Sequence, residues 1–173
     1  MRYTIYEPDI IRPLTLVEDE GRLLACLFAG GITPGIPEVP GTRADDDPVL
    51  LQARAWLDRY FAGKAPDPRE LPLGPSRSPF QARVRQAMLA IPYGGTSTYG
   101  AIARQLQEET GRRQAAQAVG GAVGANPLGI IVPCHRVMGE GGKLTGFGGG
   151  LDTKVALLEL EGVDTSKFIW PKQ

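Results

Sequence analysis

One histidine serves the whole chain of 173 residues, and it stands beside one of only two cysteines, in the run Pro133-Cys134-His135. A deprotonated thiol is a strong nucleophile, and imidazole is the side chain best suited to moving a proton near neutral pH. Their adjacency restricts what they can do together. Neighbouring residues do not face each other on a helix, and they alternate faces on a strand. A direct thiol–imidazole hydrogen bond is therefore awkward, and a bridging water is easier. The apolar run Ile130-Ile131-Val132 reads as a buried segment, and Pro133 suits the start of a helical turn. A cysteine at that position is expected to have a lowered pKa. The competing expectation is a structural cysteine that fills the core.

A third group could orient the imidazole. The segment "LDTKVALLELEGV" reads as a helix capped by Asp152 and stopped by Gly162. Glu161 then falls in the last turn, where a carboxylate meets the negative end of the helix dipole. It is either a solvated surface residue or a partner for His135. The loop "GEGGKLTGFGGG" invites a phosphate-loop reading and fails it. Val137 stands where a Walker glycine is needed, and Leu144 follows Lys143 where Ser or Thr is required. The loop reads better as backbone closely approached beside the cysteine.

These residues need elements to hold them. "RYTIYE", "PLTLVED" and "GRLLACLFAG" read as strands, and "DPVLLQARAWLDRYFAG" as a helix with Pro48 at its first position. "TPGIPEVPGTRADDDP" between them is a turn-rich acidic loop that contains Asp45, Asp46 and Asp47. Residues 63–77 carry four prolines and are the linker candidate. Domains are therefore expected at 1–62 and 78–173. The second begins with a helix capped by Ser78, with Gln81 three residues on and a stripe of Phe80, Val84, Ala87, Met88 and Ile91. Thr98 caps the next helix, and "RRQAAQAVGGAVGAN" makes another, which suggests helix-turn-helix geometry. That last helix is nearly bare of side chains, through Ala115, Ala116, Ala118, Gly120, Gly121 and Ala122. Glycine inside a helix costs roughly 1 kcal/mol relative to alanine. Either helix–helix packing or an approaching nucleic-acid groove must explain two in a row.

Bulk properties narrow the classes. No apolar run approaches the roughly 18 residues of a membrane span, and two distant cysteines make no disulfide framework, which favours a cytoplasmic protein. One His and two Cys cannot build a Cys/His zinc cluster without carboxylates. Net charge is zero, but residues 1–79 hold 9 basic against 12 acidic side chains and residues 80–173 hold 10 against 7. The second half is the one suited to an anionic partner.

"AVGGAVGANPLGIIVPCHRV", then "GKLTGFGGG" and "KVALLELEG", closely resemble the O6-alkylguanine-DNA alkyltransferases, also called methylated-DNA–protein-cysteine methyltransferases. The resemblance covers about residues 78–162; residues 1–62 agree with the family's small N-terminal α/β domain in order and length. It implies an α/β N-terminal domain followed by a mostly α-helical domain with a winged-helix-like helix-turn-helix. It implies single-turnover repair, in which Cys134 takes the alkyl group from O6-alkylguanine, and O4-alkylthymine as a further substrate. His135 would accept the thiol proton through water while Glu161 holds the ring. Asn126 would shape the turn into the active-site segment, and Tyr99 would help rotate the nucleotide and donate toward the leaving base. Val132, Phe147, Gly148 and Gly149 would line the pocket. Ala115, Ala116, Gln117, Ala118, Gly120 and Gly121 would meet the minor groove, with Arg112 or Arg113 on phosphates.

The implied partner is double-stranded DNA containing O6-alkylguanine, met by a monomer with no cofactor and no metal; cooperative binding on DNA is left open. Two positions depart from the family pattern. Gln117 stands where an arginine usually fills the space of the flipped base, and Phe147 stands where tyrosine is frequent. Three other readings compete. A damage sensor without transfer would lack Cys134, and a thiol hydrolase would turn over repeatedly. A plain winged helix would be indifferent to the loss of Cys134.

Overall fold

The computed structural model describes residues 1–30, 36–38 and 40–172. Of the acidic loop read from the sequence, residues 33–35 and 39 lie outside these. The chain divides into two compact units, one of residues 1–75 with 127–131, the other of residues 76–126 with 132–173.

The first unit is built on strands β1 (Arg2–Tyr6), β2 (Leu14–Asp19), β3 (Arg22–Phe28) and β4 (Thr42–Arg43), in the order β3-β2-β1-β4. β1 and β2 pair antiparallel, as do β2 and β3, and β4 adds parallel to β1. Helix α1 (Pro48–Phe61) packs on β1, β2 and β3. Asp47 caps it, accepting from the amides of Val49 and Leu50, and Pro48 occupies the first turn, where its missing N–H costs nothing. Leu14, Leu16, Leu23, Ala25 and Cys26 from the sheet meet Leu50, Ala53, Trp56 and Leu57 as the buried core. Cys26, about 1% exposed, is core filling.

The proline-rich stretch 63–77 lies for the most part within this unit. Pro68–Glu70 form a 3-10 turn, Leu71 is buried, and Leu23 exchanges hydrogen bonds with Pro72 and Gly74. The prolines here stiffen an edge segment instead of spacing two bodies. Residues 127–131 return to the same sheet, where Cys26 donates to Pro127 and Gly129 donates to Cys26. A Cβ at Gly129 would lie 2.7 Å from the Phe28 ring, so only glycine permits this approach.

The second unit is mostly helical. Helix α2 (Pro79–Leu89) is capped by Ser78, which accepts from the Gln81 amide, and buries Val84, Ala87 and Met88. Helix α3 (Tyr99–Thr110) is capped by Thr98 and ended by Gly111 at φ 69°. Helix α4 (Ala116–Gly124) packs on α2 and α3 through Val119 and Val123. It begins four residues later than the sequence suggested, with Ala115 at a cap position that supplies no side-chain acceptor. A short parallel pair, β5 (Ser97–Thr98) with β6 (Val137–Met138), ties the start of α3 to the segment after the cysteine. Helix α5 (Leu151–Leu160) closes the unit. Gly150 occupies its cap position and Asp152 lies inside the first turn, contrary to the expected Asp152 cap.

Candidate active site

Cys134 opens a single 3-10 turn, Cys134–Arg136, set up by the residues before it. Pro133 has φ −79° and ψ 65°, and the Cys134 amide donates to the Val132 carbonyl at 2.7 Å, an inverse γ-turn. Asn126 donates its side-chain amide to the same carbonyl at 2.9 Å. Val132 is fully buried.

The thiol is enclosed, and this reverses the expectation of a lowered pKa. Burial pushes the Cys134 thiol up, against the hydrogen bond from Asn126, the nearby charge of Lys154 and the backbone amides of Cys134 and His135. A three-residue turn has almost no dipole to set against that desolvation. The resting sulfur is a thiol, so its proton must be removed as it reacts.

His135, the next residue, carries the chain's one imidazole. Its ring is fully buried, and its Nε2 lies 2.5 Å from Glu161 Oε2. Burial lowers the imidazole pKa more than Glu161 raises it, and Arg136 and Lys154 lower it further. The ring is neutral at neutral pH. With Nε2–H donated to Glu161, Nδ1 is the basic nitrogen.

Glu161 is therefore the partner of His135 and not a surface residue. Its other oxygen takes the Arg136 guanidinium Nε at 2.6 Å. Burial by itself raises the carboxyl pKa, but the hydrogen bond to His135, then the hydrogen bond and charge of Arg136, carry it down to about 2. Arg136 also donates to the Ile91 carbonyl at 2.7 Å and lies over the Tyr93 ring. The unfavourable helix-end position is offset by this buried cation.

Arg136 and Lys154 escaped the reading of the sequence. Lys154 is about 1% exposed, donates to the Val137 carbonyl at 2.7 Å and sits 5.8 Å from the centre of the Phe147 ring. Burial takes its ammonium down to about 8, with Cys134 pulling the other way. A signal was present, because Lys154 on α5 and Glu161 at its C-terminal cap are seven residues apart, in one stripe with buried Leu157 and Leu158. A cation on a buried helical face needs an anionic neighbour or a task.

The remaining expected residues fall in two places within this unit. Tyr99 at the start of α3 shares a hydrogen bond with Thr145 at 2.7 Å. Phe147 is half-buried, Gly149 buried and Gly148 exposed, and a Cβ at Gly148 would meet nothing within 4 Å. On α4 and its cap, Ala115, Ala116, Gln117, Ala118 and Gly121 are exposed. A Cβ at Gly120 would make ordinary contact with Tyr99, 3.7 Å away, and one at Gly121 would meet nothing within 4 Å. Close helix packing therefore does not account for these glycines. Among the described residues, no three His, Cys, Asp or Glu side chains converge on a metal-sized site.

Comparison with known proteins gives the family. Residues 79–163 match the family model described as 6-O-methylguanine DNA methyltransferase, DNA binding domain, and residues 1–75 match its ribonuclease-like domain. The chain belongs to the 6-O-methylguanine DNA methyltransferase family. A methylated-DNA–protein-cysteine methyltransferase of Methanosarcina acetivorans is 42% identical over 94% of this chain and 99% of its own. One from Mycobacterium bovis is 53% identical over 61% of each chain. Among solved structures, the Mycobacterium tuberculosis O6-methylguanine methyltransferase superposes with a TM-score of 0.76 at 41% identity, covering 97% of this chain and 94% of its own. A Mycobacterium tuberculosis protein of the same kind, crystallised in complex with DNA, gives 0.75 at 40% identity, covering 97% and 95%. The two-domain fold expected from the sequence is the fold of this family.

Proposed function

We propose that this protein repairs DNA by irreversible transfer of the alkyl group from O6-alkylguanine to Cys134. The observation that carries the reading is the buried thiol beside a neutral imidazole whose far nitrogen is fixed by an ionised carboxylate. Cys134 Sγ attacks the alkyl carbon, the S–C bond forms and the C–O6 bond breaks. The thiol proton passes through a water to His135 Nδ1, and Glu161 stabilises the imidazolium that results. The departing guanine takes up a proton, with the Tyr99 hydroxyl directed toward it. Lys154 and the Asn126 amide face the developing thiolate and favour it while the reaction proceeds. The product is a thioether with no route back to a thiol, so each molecule acts once.

The alkyl carbon is reached only if the nucleotide leaves the stack, which costs a few kcal/mol. The exposed small residues Ala115, Ala116, Ala118 and Gly121, with the half-buried Gly120, allow close approach to the groove, and Gln117 enters the vacated space. Glutamine can hydrogen-bond there but adds no charge. Gln117→Arg is expected to transfer faster from duplex DNA and to steepen the salt dependence of binding by about one unit. Equal rates for the two proteins would count against Gln117 as the residue that limits extrusion. Val132, Phe147, Gly148 and Gly149 form the receiving wall.

Intact-mass measurement after incubation with a duplex containing one O6-methylguanine tests the function. One added methyl per chain, on the peptide containing Cys134, is expected. Repeated product release without a mass change would replace transfer by hydrolysis.

A further inference from the structure

Twelve residues, Gly139–Gly150, join β6 to α5, and this loop carries Phe147, Gly148 and Gly149. A loop rich in glycine pays a high entropy cost to hold one shape. Its first half is nonetheless tied down by the last residues of the chain. Lys143 pairs in parallel with Ile169, the Ile169 amide donates to Gly142 at 2.9 Å and the Leu144 amide donates to Ile169 at 2.8 Å. Gly139 donates to Lys143 at 2.8 Å on the other side, so three strand-like segments lie together. At Gly142, with φ 83°, an added Cβ would come 3.5 Å from the Lys167 carbonyl and 3.6 Å from the Phe168 ring.

Hydrophobic burial alone does not explain this terminal segment. Ile169 and Trp170 are 51% and 48% exposed, and only Phe168 joins the apolar cluster of Met138, Leu144 and Leu158. What the pairing fixes is the backbone of Lys143 and Leu144, and the next residue is Thr145, whose hydroxyl meets Tyr99 at 2.7 Å. Tyr99 itself is anchored through the Thr98 cap and the β5–β6 pair. The hydroxyl of Tyr99 is thus held from two sides, by its helix start and by a loop residue strapped to the C-terminus.

We propose that Thr145, fixed by the Phe168–Ile169 strap, is a positioning residue that aims the Tyr99 hydroxyl for nucleotide rotation. This rests on the repair function proposed above. Thr145 touches no reacting atom; it acts through Tyr99. The consequence is specific to stacked targets. An O6-methylguanine in a single strand needs little rotation, whereas one paired in a duplex needs all of it.

The test is the single-turnover rate on one O6-methylguanine oligonucleotide, taken both as duplex and as single strand. Thr145→Val is expected to lower the ratio of duplex to single-strand rate roughly three- to tenfold, the worth of one hydrogen bond. Thr145→Ser restores the ratio. Ile169→Pro, which removes the N–H donated to Gly142, lowers it in the same direction. Thr145→Val added to Tyr99→Phe causes no further loss, because both act on one hydroxyl. An unchanged ratio in Thr145→Val or Ile169→Pro overturns the proposal, as does a Thr145→Ser protein that behaves like Thr145→Val. A parent protein that takes up no methyl from either substrate overturns the repair reading first, and the strap with it.

Discussion

Replacing Glu161 by glutamine is expected to cost about 3–5 kcal/mol of stability and to slow alkyl transfer about a hundredfold or more. The carboxylate side chain has no exposure, and each oxygen has a donor, His135 Nε2 at 2.5 Å and Arg136 Nε at 2.6 Å. An amide offers one acceptor and one NH2 group. Turned toward Arg136 the NH2 faces a donor; turned toward His135 it forces the ring proton onto Nδ1, so that Nδ1 is no longer the basic nitrogen, and in both cases Arg136 is left without its counter-charge. The imidazole then loses the partner that fixes its tautomer and stabilises its protonated form.

The pH dependence of stability follows from the same pair. His135 and Arg136 hold the Glu161 carboxyl near 2, below the ordinary 4.5 of a free carboxyl. The unfolded chain therefore binds this proton first as the pH drops. The stabilisation is complete above 4.5 and is lost as the pH falls toward 2, amounting to about 3 kcal/mol. Urea unfolding at pH 7 and pH 3 would show a smaller acid-induced loss in Glu161→Gln than in the parent. His135 adds to the acid loss, because its depressed pKa makes the unfolded chain the better proton acceptor below 6.5. If the variant kept both the parent stability and the parent rate, Glu161 would have no part in the relay.

The contrast between Glu161 and Cys134 separates what a sequence can and cannot say. Local rules were sufficient for the caps at Ser78 and Thr98, the proline at the start of α1 and the strands β1 to β3, because these depend on neighbours within four residues. Cys134 and His135 stood out as neighbours in the sequence, and the misplaced Glu161 was legible as a candidate partner for the imidazole, which the structure gives it. The thiol pKa was not visible. It depends on how completely Val132, Asn126 and Lys154 enclose the sulfur, which no local pattern encodes. Residues 127–131 are a second case. They sit in sequence inside the helical half, yet pair with β3 through Cys26, because a long-range pairing needs only a glycine small enough to pass Phe28.

The bare face of α4 was legible as an anomaly but not as a choice between two causes. Space decides it. Gly121 has room for a side chain that the sequence declines to supply, and a helix gives up roughly 1 kcal/mol for that. Stability is therefore given up on two faces of the same unit, at the exposed glycines of α4 and at the buried cation of α5. Both lie where the proposed reaction needs room or charge.

The second large effect concerns that cation. Lys154→Met is expected to slow transfer about a hundredfold at pH 7, since the thiolate forming at Cys134 loses its nearby positive charge. Stability should move in the opposite direction. Burial lowers the Lys154 ammonium from 10.5 to about 8, so the unfolded chain binds the proton first as the pH falls from 10.5. Stability from this group is complete above 10.5 and is lost on the way down to 8. At pH 7 the charged lysine costs about 3 kcal/mol.

Methionine removes that cost but leaves the Val137 carbonyl without its donor, a loss of about 1–3 kcal/mol. The variant should therefore match or slightly exceed the parent in stability at pH 7 and fall below it by pH 10.5, where the parent's neutral amine still donates. Cys134 works against both proteins above 9, because its raised pKa makes the unfolded chain lose that proton first. The difference between parent and variant largely cancels this shared contribution. Urea midpoints at pH 7 and pH 10, beside single-turnover rates at pH 7, make the comparison. A methionine variant that is slow but less stable at both pH values would mean that Lys154 is held for packing, and its charge would have no separate role in the transfer.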